Sequence, residues 1–132
     1  MTALPEQPKQ PKPSNPRSIR LAWRAEHRAA DQARLAGDTA REWQHLERAH
    51  ILSQPMAGPH VRTHAAMLTA ALRRHDRHEL VGQLFRIMVA APGSVTGKYP
   101  VGNTGGADVS AFAPMTIPAD LQPLLPATVE AS

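Results

Sequence analysis

The stretch WQHLERAHILSQPMAGPHVRTHAAMLTAAL, residues 43–72, has two runs of apolar residues at helical spacing, separated by a segment with Pro55 and Gly58. Apolar residues that recur every three or four positions predict amphipathic helices. A segment rich in proline and glycine between such runs predicts a tight turn. We therefore expect two helices joined by this turn, and they carry four of the seven histidines of the chain.

The same signals, followed outward from this stretch, predict four helices. Serine, aspartate or proline begins each of them, and glycine or proline follows most of their ends, as is typical of helix caps. The predicted helices span 18–35, 38–54, 59–74 and 76–91, and the fourth is expected to bury Leu80, Val81, Leu84, Ile87 and Met88. Because the connections are short, neighbouring helices should pack antiparallel as two αα-hairpins, either tetratricopeptide-like or as a small bundle. The predicted fold class is all-α.

The two ends of the chain differ from the helical middle. Residues 1–17 are rich in proline and lack apolar periodicity, which predicts a disordered tail. Residues 18–92 form the predicted four-helix domain, and residues 93–132, rich in glycine and proline, form a predicted extended strap that packs on the helices, with a helical turn at 119–125. The YPVGNTGG segment, residues 99–106, predicts a turn rather than a phosphate loop, because it lacks the lysine of such loops. The apolar anchors of the strap are Val101, Phe112, Met115, Ile117, Leu121 and Leu124.

Composition excludes several kinds of protein. The chain has no cysteine, which excludes disulfides, thiolate metal sites and thiol catalysis. No stretch reaches the roughly 20 apolar residues that span a bilayer, so we expect no membrane insertion and a cytoplasmic location. The net charge of +4 comes mostly from arginines. Without a docking motif, these predict solvated helix faces, and we consider nucleic-acid binding unlikely.

Histidines and glutamates at helical spacing suggest a metal site. Glu47 and His50 form an E-x-x-H pair on the second helix, and His60 and His64 lie one turn apart on the third. Spacings of three and four place ligand atoms on one side of a helix. With Glu26 from the first helix, the set has three imidazoles and two carboxylates, which suits zinc, iron, manganese, cobalt or nickel. We therefore predict a mononuclear metal site at the turn between the second and third helices.

The residues around this site have predicted roles as well. Glu42 or Gln83 is expected to orient the imidazoles through hydrogen bonds. If the strap covers the histidines, Tyr99 or Asn103 also becomes a candidate site residue. The remaining histidines that we considered are expected to face away from the site: His45, His75 and His78.

Two alternatives to a metal-binding or metal-handling protein remain open. Buried imidazoles need hydrogen-bond partners, so the histidines could instead form a hydrogen-bonded cluster. The chain would then suit a tetratricopeptide-like adaptor with structural histidines and an unknown protein partner. No separate acid–base pair or nucleophile stands out, so we name no catalytic residue and favour binding over catalysis. If the protein is an enzyme, a metal-dependent oxidase or hydrolase is expected.

Two long segments carry a resemblance to a known family. They are HLERAHILSQPMAGPHVRTHAAML, residues 45–68, and YPVGNTGGADVSAFAPMTIPADL, residues 99–121. With both in view, the chain resembles an uncharacterised family of short bacterial proteins that is catalogued only as a domain of unknown function. The resemblance covers about residues 26–125 and leaves out the proline-rich tail. It implies relatedness and a bacterial origin, and it assigns no activity, substrate or site.

Overall fold

The computed structural model describes residues 15–96, 103–107 and 115–125, and for residues 88–96 it describes the backbone alone. It contains the helices α1 (Pro16–Leu35), α2 (Thr39–Ser53), α3 (Ala57–Arg73) and α4 (Arg77–Thr96), and a 3-10 turn at Gln122–Leu124. These three ranges hold no strand, so the predicted all-α fold with four helices is confirmed. Each helix packs on its neighbour in the sequence.

The helix starts show why these segments fold where they do. The side chain of Asn15 caps α1 by accepting a hydrogen bond from the backbone N–H of Arg17 at 3.0 Å, and Pro16 occupies the first helical position. The helix therefore starts two residues before the predicted position 18, because asparagine followed by proline is a complete helix start. Asp38 caps α2 as predicted, since its carboxylate accepts from Arg41 N–H.

The end of α4 differs from the sequence prediction. The helix continues one turn past Pro92 and Gly93, to Thr96, whereas we expected it to end at about residue 91. A proline within a helix removes one backbone hydrogen bond and crowds the turn before it. Here that loss falls in the last turn, where few further bonds depend on it. At the other end, Asp76 begins α4 as predicted and accepts from Glu79 N–H.

Two apolar clusters hold α1, α2 and α3 together, and aliphatic side chains dominate both. In the first, α1 and α2 pack with the C-terminal segment; its members are Ile19, Trp23, Ala49, Ile51, Leu52 and Leu121. The second consists of Ala30, Leu46, Met67 and Ala70. The indole N–H of Trp23 donates to Thr63 Oγ1 at 2.9 Å, which also ties α1 to α3.

The inward face of α4 contradicts the sequence prediction. Of the α4 residues that we expected to be buried, Val81 and Leu84 are instead 66% and 51% exposed, and Leu80 and Ile87 are half-buried. Among the α4 side chains from 77 to 87, the buried ones are polar: Glu79, Gln83 and Arg86. The reason is that α4 faces the histidines and residues 103–107, which offer hydrogen-bonding groups in place of an apolar surface.

The described parts of the predicted strap are residues 103–107 and 115–125, and both contact the helices. Residues 103–107 form neither helix nor strand and contact α4, and residues 115–125 end in the predicted helical turn. Of the predicted anchors, Leu121 is buried, Ile117 and Leu124 pack against the first apolar cluster, and Met115 is 37% exposed. Val101, Phe112, Tyr99 and most of the predicted tail, residues 1–14, lie outside the described residues.

None of the described helices combines the length and the apolar character that a membrane span requires.

Candidate metal centre

Three buried histidines meet where α2 and α3 join. The Nε2 atoms of His50 and His64 are 3.0 Å apart, those of His50 and His60 are 3.0 Å apart, and those of His60 and His64 are 3.2 Å apart. The three residues are only 2–5% exposed. They are the group of side chains that could hold a metal ion within the described ranges.

Local structure brings these three rings together. His50 lies in the last turn of α2, and His60 and His64 lie four residues apart in the first half of α3. Residues 54–56 make a tight turn, in which Met56 N–H donates to Ser53 O at 2.8 Å. Because the turn is short, the end of α2 and the start of α3 stay adjacent, and both present their inward faces to the same point.

The partners of the Nδ1 atoms show which ring nitrogen carries the proton in His50 and in His64. His50 Nδ1 lies 2.6 Å from the backbone oxygen of Asn103, which can only accept, so Nδ1 carries the proton and donates. His64 Nδ1 lies 2.6 Å from Gln83 Oε1, which also only accepts. Each neutral ring has one N–H, so the Nε2 atoms of His50 and His64 hold bare lone pairs.

These two lone pairs point at each other, so no hydrogen bond forms between His50 and His64. A neutral His60 has one N–H to offer, so even when that N–H is on Nε2 it can satisfy only one of these two nitrogens. Buried acceptors without a donor cost about 1–3 kcal/mol each. A cation at the centre of the triangle satisfies all three nitrogens at once.

Burial keeps the rings neutral. It lowers the pKa of His50 well below the usual value, and the neighbouring His64 and His60 lower it further, against a raising effect of the Asn103 hydrogen bond. Burial likewise lowers the pKa of His64 to about 4, although its bond to Gln83 raises it and Arg86 lowers it. At neutral pH both imidazoles are therefore in the form that binds metal ions.

The size of the triangle fits a transition-metal ion. Metal–nitrogen bonds of about 2.0–2.1 Å place nitrogens roughly 3.3–3.4 Å apart in a tetrahedral site and roughly 2.8–3.0 Å apart on one face of an octahedron. The measured separations of 3.0–3.2 Å lie between these values. The three nitrogens could therefore take three adjacent coordination positions of one metal ion, and other ligands would take the remaining positions.

Residues 103–107 cover the histidines from the side of α4. Asn103 turns the chain there, since its side-chain oxygen accepts from Gly105 N–H at 2.9 Å, and the sequence prediction of a turn at this asparagine is confirmed. Gly105 has a φ of 84° and packs on His50 so closely that a Cβ atom would lie 2.7 Å from the ring. Only glycine combines this backbone conformation with this contact.

The structure places the two predicted carboxylates outside the histidine triangle. Glu26 accepts from His45 Nδ1 at 2.7 Å and from Arg48 Nε at 2.9 Å, at the rim between α1 and α2. Glu47 is half-buried and bonded to Thr104, and burial raises its pKa against the lowering effect of that hydrogen bond.

Of the two residues predicted to orient the imidazoles, one contacts a histidine of the triangle and the other does not. Gln83 contacts His64 as expected, whereas Glu42 forms a two-armed ion pair with Arg73 at 2.6 and 3.1 Å. His75 and His78 are exposed in the turn before α4 and in its first turn.

Sequence reasoning did not find Glu79 or Gly105. Glu79 lies four residues before Gln83, and its carboxylate accepts from Gln83 Nε2 at 2.6 Å and from Ala107 N–H at 2.9 Å. The four-residue spacing of Glu79 and Gln83 was the available signal, but we assigned the inward face of α4 to its apolar residues. Gly105 needed the three-dimensional contact with His50, because glycines in a turn segment are ordinary.

Comparison with known proteins places the chain in a family without adding chemistry. A family model described as "Protein of unknown function (DUF3703)" matches residues 17–125, which confirms the resemblance noted above. No curated protein and no solved structure matches the chain.

Proposed function

The chain belongs to this family of unknown function, and we propose from the site alone that it is a metal-binding protein whose ligands are His50, His60 and His64. The ion is a divalent transition metal that accepts nitrogen ligands: zinc, iron, manganese, cobalt or nickel. Because the ligands are buried, we favour a metal-handling role, in which the protein holds and delivers the ion, over catalysis. Glu26 and Glu47 stay predictions as ligands. To bind the ion, Glu26 would have to leave His45 and Arg48, and Glu47 would have to leave Thr104.

One observation carries this proposal: the Nε2 atoms of His50 and His64 lie 3.0 Å apart inside the protein, while the Nδ1 atom of each faces an oxygen that can only accept. A purely structural pair of neutral histidines at this distance would place an N–H between the two nitrogens. Here the protons are held on the outer side by Asn103 and Gln83, and the inner side is left for a cation. This asymmetry is the pattern of metal-ligating histidines, which donate their other N–H to an oxygen acceptor.

The test is a metal titration of the full chain, purified without a histidine tag and stripped with a chelator. We expect one Zn²⁺ or Co²⁺ per chain, and an absorption spectrum of bound Co²⁺ that reports nitrogen ligands. The variant His60→Ala/His64→Ala should weaken binding by more than about 100-fold, since the loss of ligands exceeds the 10–100-fold effect of losing their hydrogen-bond partners.

The matched control changes two exposed histidines instead. His75 has a φ of 57°, so it is replaced by asparagine, which tolerates this conformation, in the variant His75→Asn/His78→Gln. This variant has the same number of histidines as the ligand variant and should bind metal like the wild type. A wild type that binds neither ion, or a ligand variant that binds as well as the control, contradicts the proposal and favours the adaptor with structural histidines.

A further inference from the structure

We propose that Gln83 is a positioning residue that sets the tautomer of His64, so that Nε2 rather than Nδ1 becomes the metal-binding atom. This inference rests on the metal site proposed above. It concerns a side chain on α4 that is fully buried and does not itself point a ligand atom at the ion.

The orientation of the Gln83 amide follows from its partners. One end of the amide lies 2.6 Å from Glu79 Oε1 and 2.7 Å from the backbone oxygen of Gly105. Ala107 N–H donates to the same Glu79 carboxylate, at 2.9 and 3.0 Å, so this carboxylate acts as an acceptor towards the strap as well. Two acceptors on one side require the NH₂ group there, and the amide oxygen must face the other way.

The amide oxygen of Gln83 lies 2.6 Å from His64 Nδ1. Because this oxygen can only accept a hydrogen bond, Nδ1 must carry the proton. A rotation of the amide by half a turn would place its NH₂ group on His64 and its oxygen against the two acceptors. It would break the bonds to Glu79 and Gly105 together. The hydrogen bond to Glu79 therefore fixes the Gln83 amide, and the amide fixes the proton of His64 on Nδ1. The lone pair on His64 Nε2 then faces the other two histidines.

Gln83 also links the two ligand-bearing sides of the site. Its bond to Gly105 O holds the residue that packs against the ring of His50, and Asn103, two residues earlier, accepts from His50 Nδ1. The acceptor for His50 is a backbone oxygen, which no substitution removes. Among the partners of His50 and His64 described above, Gln83 is therefore the one that a substitution can change.

Two variants separate positioning from packing. Gln83→Met keeps the length of the side chain and removes its amide, so we expect His64 to populate both tautomers and the dissociation constant for Zn²⁺ to rise about 10–100-fold. The exchange Gln83→Glu/Glu79→Gln keeps an oxygen acceptor opposite Nδ1 and an amide donor between positions 79 and 83, so the tautomer should be retained and the affinity should stay closer to that of the wild type. Ile19→Ala, a change in the apolar cluster of α1, is the control that lowers stability without changing the tautomer.

The readouts are long-range ¹H–¹⁵N NMR spectra of the histidine rings in the metal-free protein, and Zn²⁺ affinity by competition with a chelator. The wild-type spectrum tests the inference even where a variant does not fold: a His64 proton on Nε2 overturns it. Unchanged tautomer and affinity in Gln83→Met also overturn it. If the wild type shows the Nδ1 proton but binds no Zn²⁺, the proposed function is wrong while the control of the tautomer by Gln83 stands.

Discussion

The two sides of this small protein are held together by different forces. Where α1 packs on α2 and the C-terminal segment, the interior is apolar, with Trp23, Leu52 and Leu121 at most 4% exposed. Where α4 and residues 103–107 meet the histidines, the interior is a chain of hydrogen bonds through Glu79 and Gln83. Apolar burial is non-directional and does not depend on protonation, whereas each buried polar group requires a matching partner. The first side should therefore determine stability, and the second should respond to protons and metal ions.

The largest expected effect comes from the apolar side. Trp23→Ala should lower the free energy of unfolding by about 3–5 kcal/mol, because it leaves a cavity and removes the donor to Thr63. Urea unfolding of the metal-free protein near pH 7.5 measures this loss. The control Leu35→Ala changes a residue that is 78% exposed and should cost less than about 0.5 kcal/mol. Similar losses in both variants would mean that this side does not carry the stability.

The polar side should make the metal-free protein sensitive to acid. The pKa of His64 is about 4 in the folded protein against an ordinary value of 6.5, and that of His50 is also lowered. The unfolded chain therefore binds more protons between these values, so stability is complete above about pH 6.5 and is lost as the pH falls towards 4. The loss from His64 is at most about 3 kcal/mol.

Urea unfolding at a series of pH values from about 7.5 to 5 follows this change. The variant His75→Asn/His78→Gln, altered only at exposed histidines, should show the same profile. A free energy of unfolding that stays constant over this range would contradict the burial of neutral imidazoles.

The smallest expected effect concerns the contact between Gly105 and the ring of His50 on the polar side. Gly105→Ala and Gly37→Ala both place alanine at a positive φ, 84° and 75°, which costs about 1–2 kcal/mol. Only at Gly105 does the new Cβ meet the His50 ring, whereas at Gly37 no atom lies within 4 Å. We therefore expect a loss of stability in Gly105→Ala at least as large as in Gly37→Ala, with metal affinity reduced about tenfold in Gly105→Ala alone. Equal metal affinity in both variants would show that this contact does not hold His50 in place.

The contrast between the two sides also explains what could be predicted. The helices followed from apolar spacing and from caps such as Asp38, because these are local properties of the chain. The three histidines could be grouped because His60 and His64 are one turn apart and a short turn returns the chain to His50. The burial of Leu46 and Ala49 followed from the same periodicity.

The errors lie where a helix meets a polar surface. Periodicity showed that α4 has an apolar face and a polar face, and we assigned the apolar one to the interior. Val81 and Leu84 are instead exposed, because the surface that α4 covers consists of imidazoles and backbone carbonyls. Periodicity in the sequence shows that a helix has an apolar face and a polar face. Which of the two is buried depends on the surface against which the helix packs.

The sequence by itself determined the all-α fold and the spacing that brings His50, His60 and His64 together. It also gave the extent of α2, the ends of α1 and α3 and the start of α4 to within one residue. Only the tertiary structure decided which nitrogen of His50 and His64 keeps its proton. That choice depends on Asn103 and Gln83, which lie 53 and 19 residues away from their histidines and act through single hydrogen bonds. Local propensities report the conformation of neighbouring residues, whereas a tautomer is determined by one distant oxygen atom.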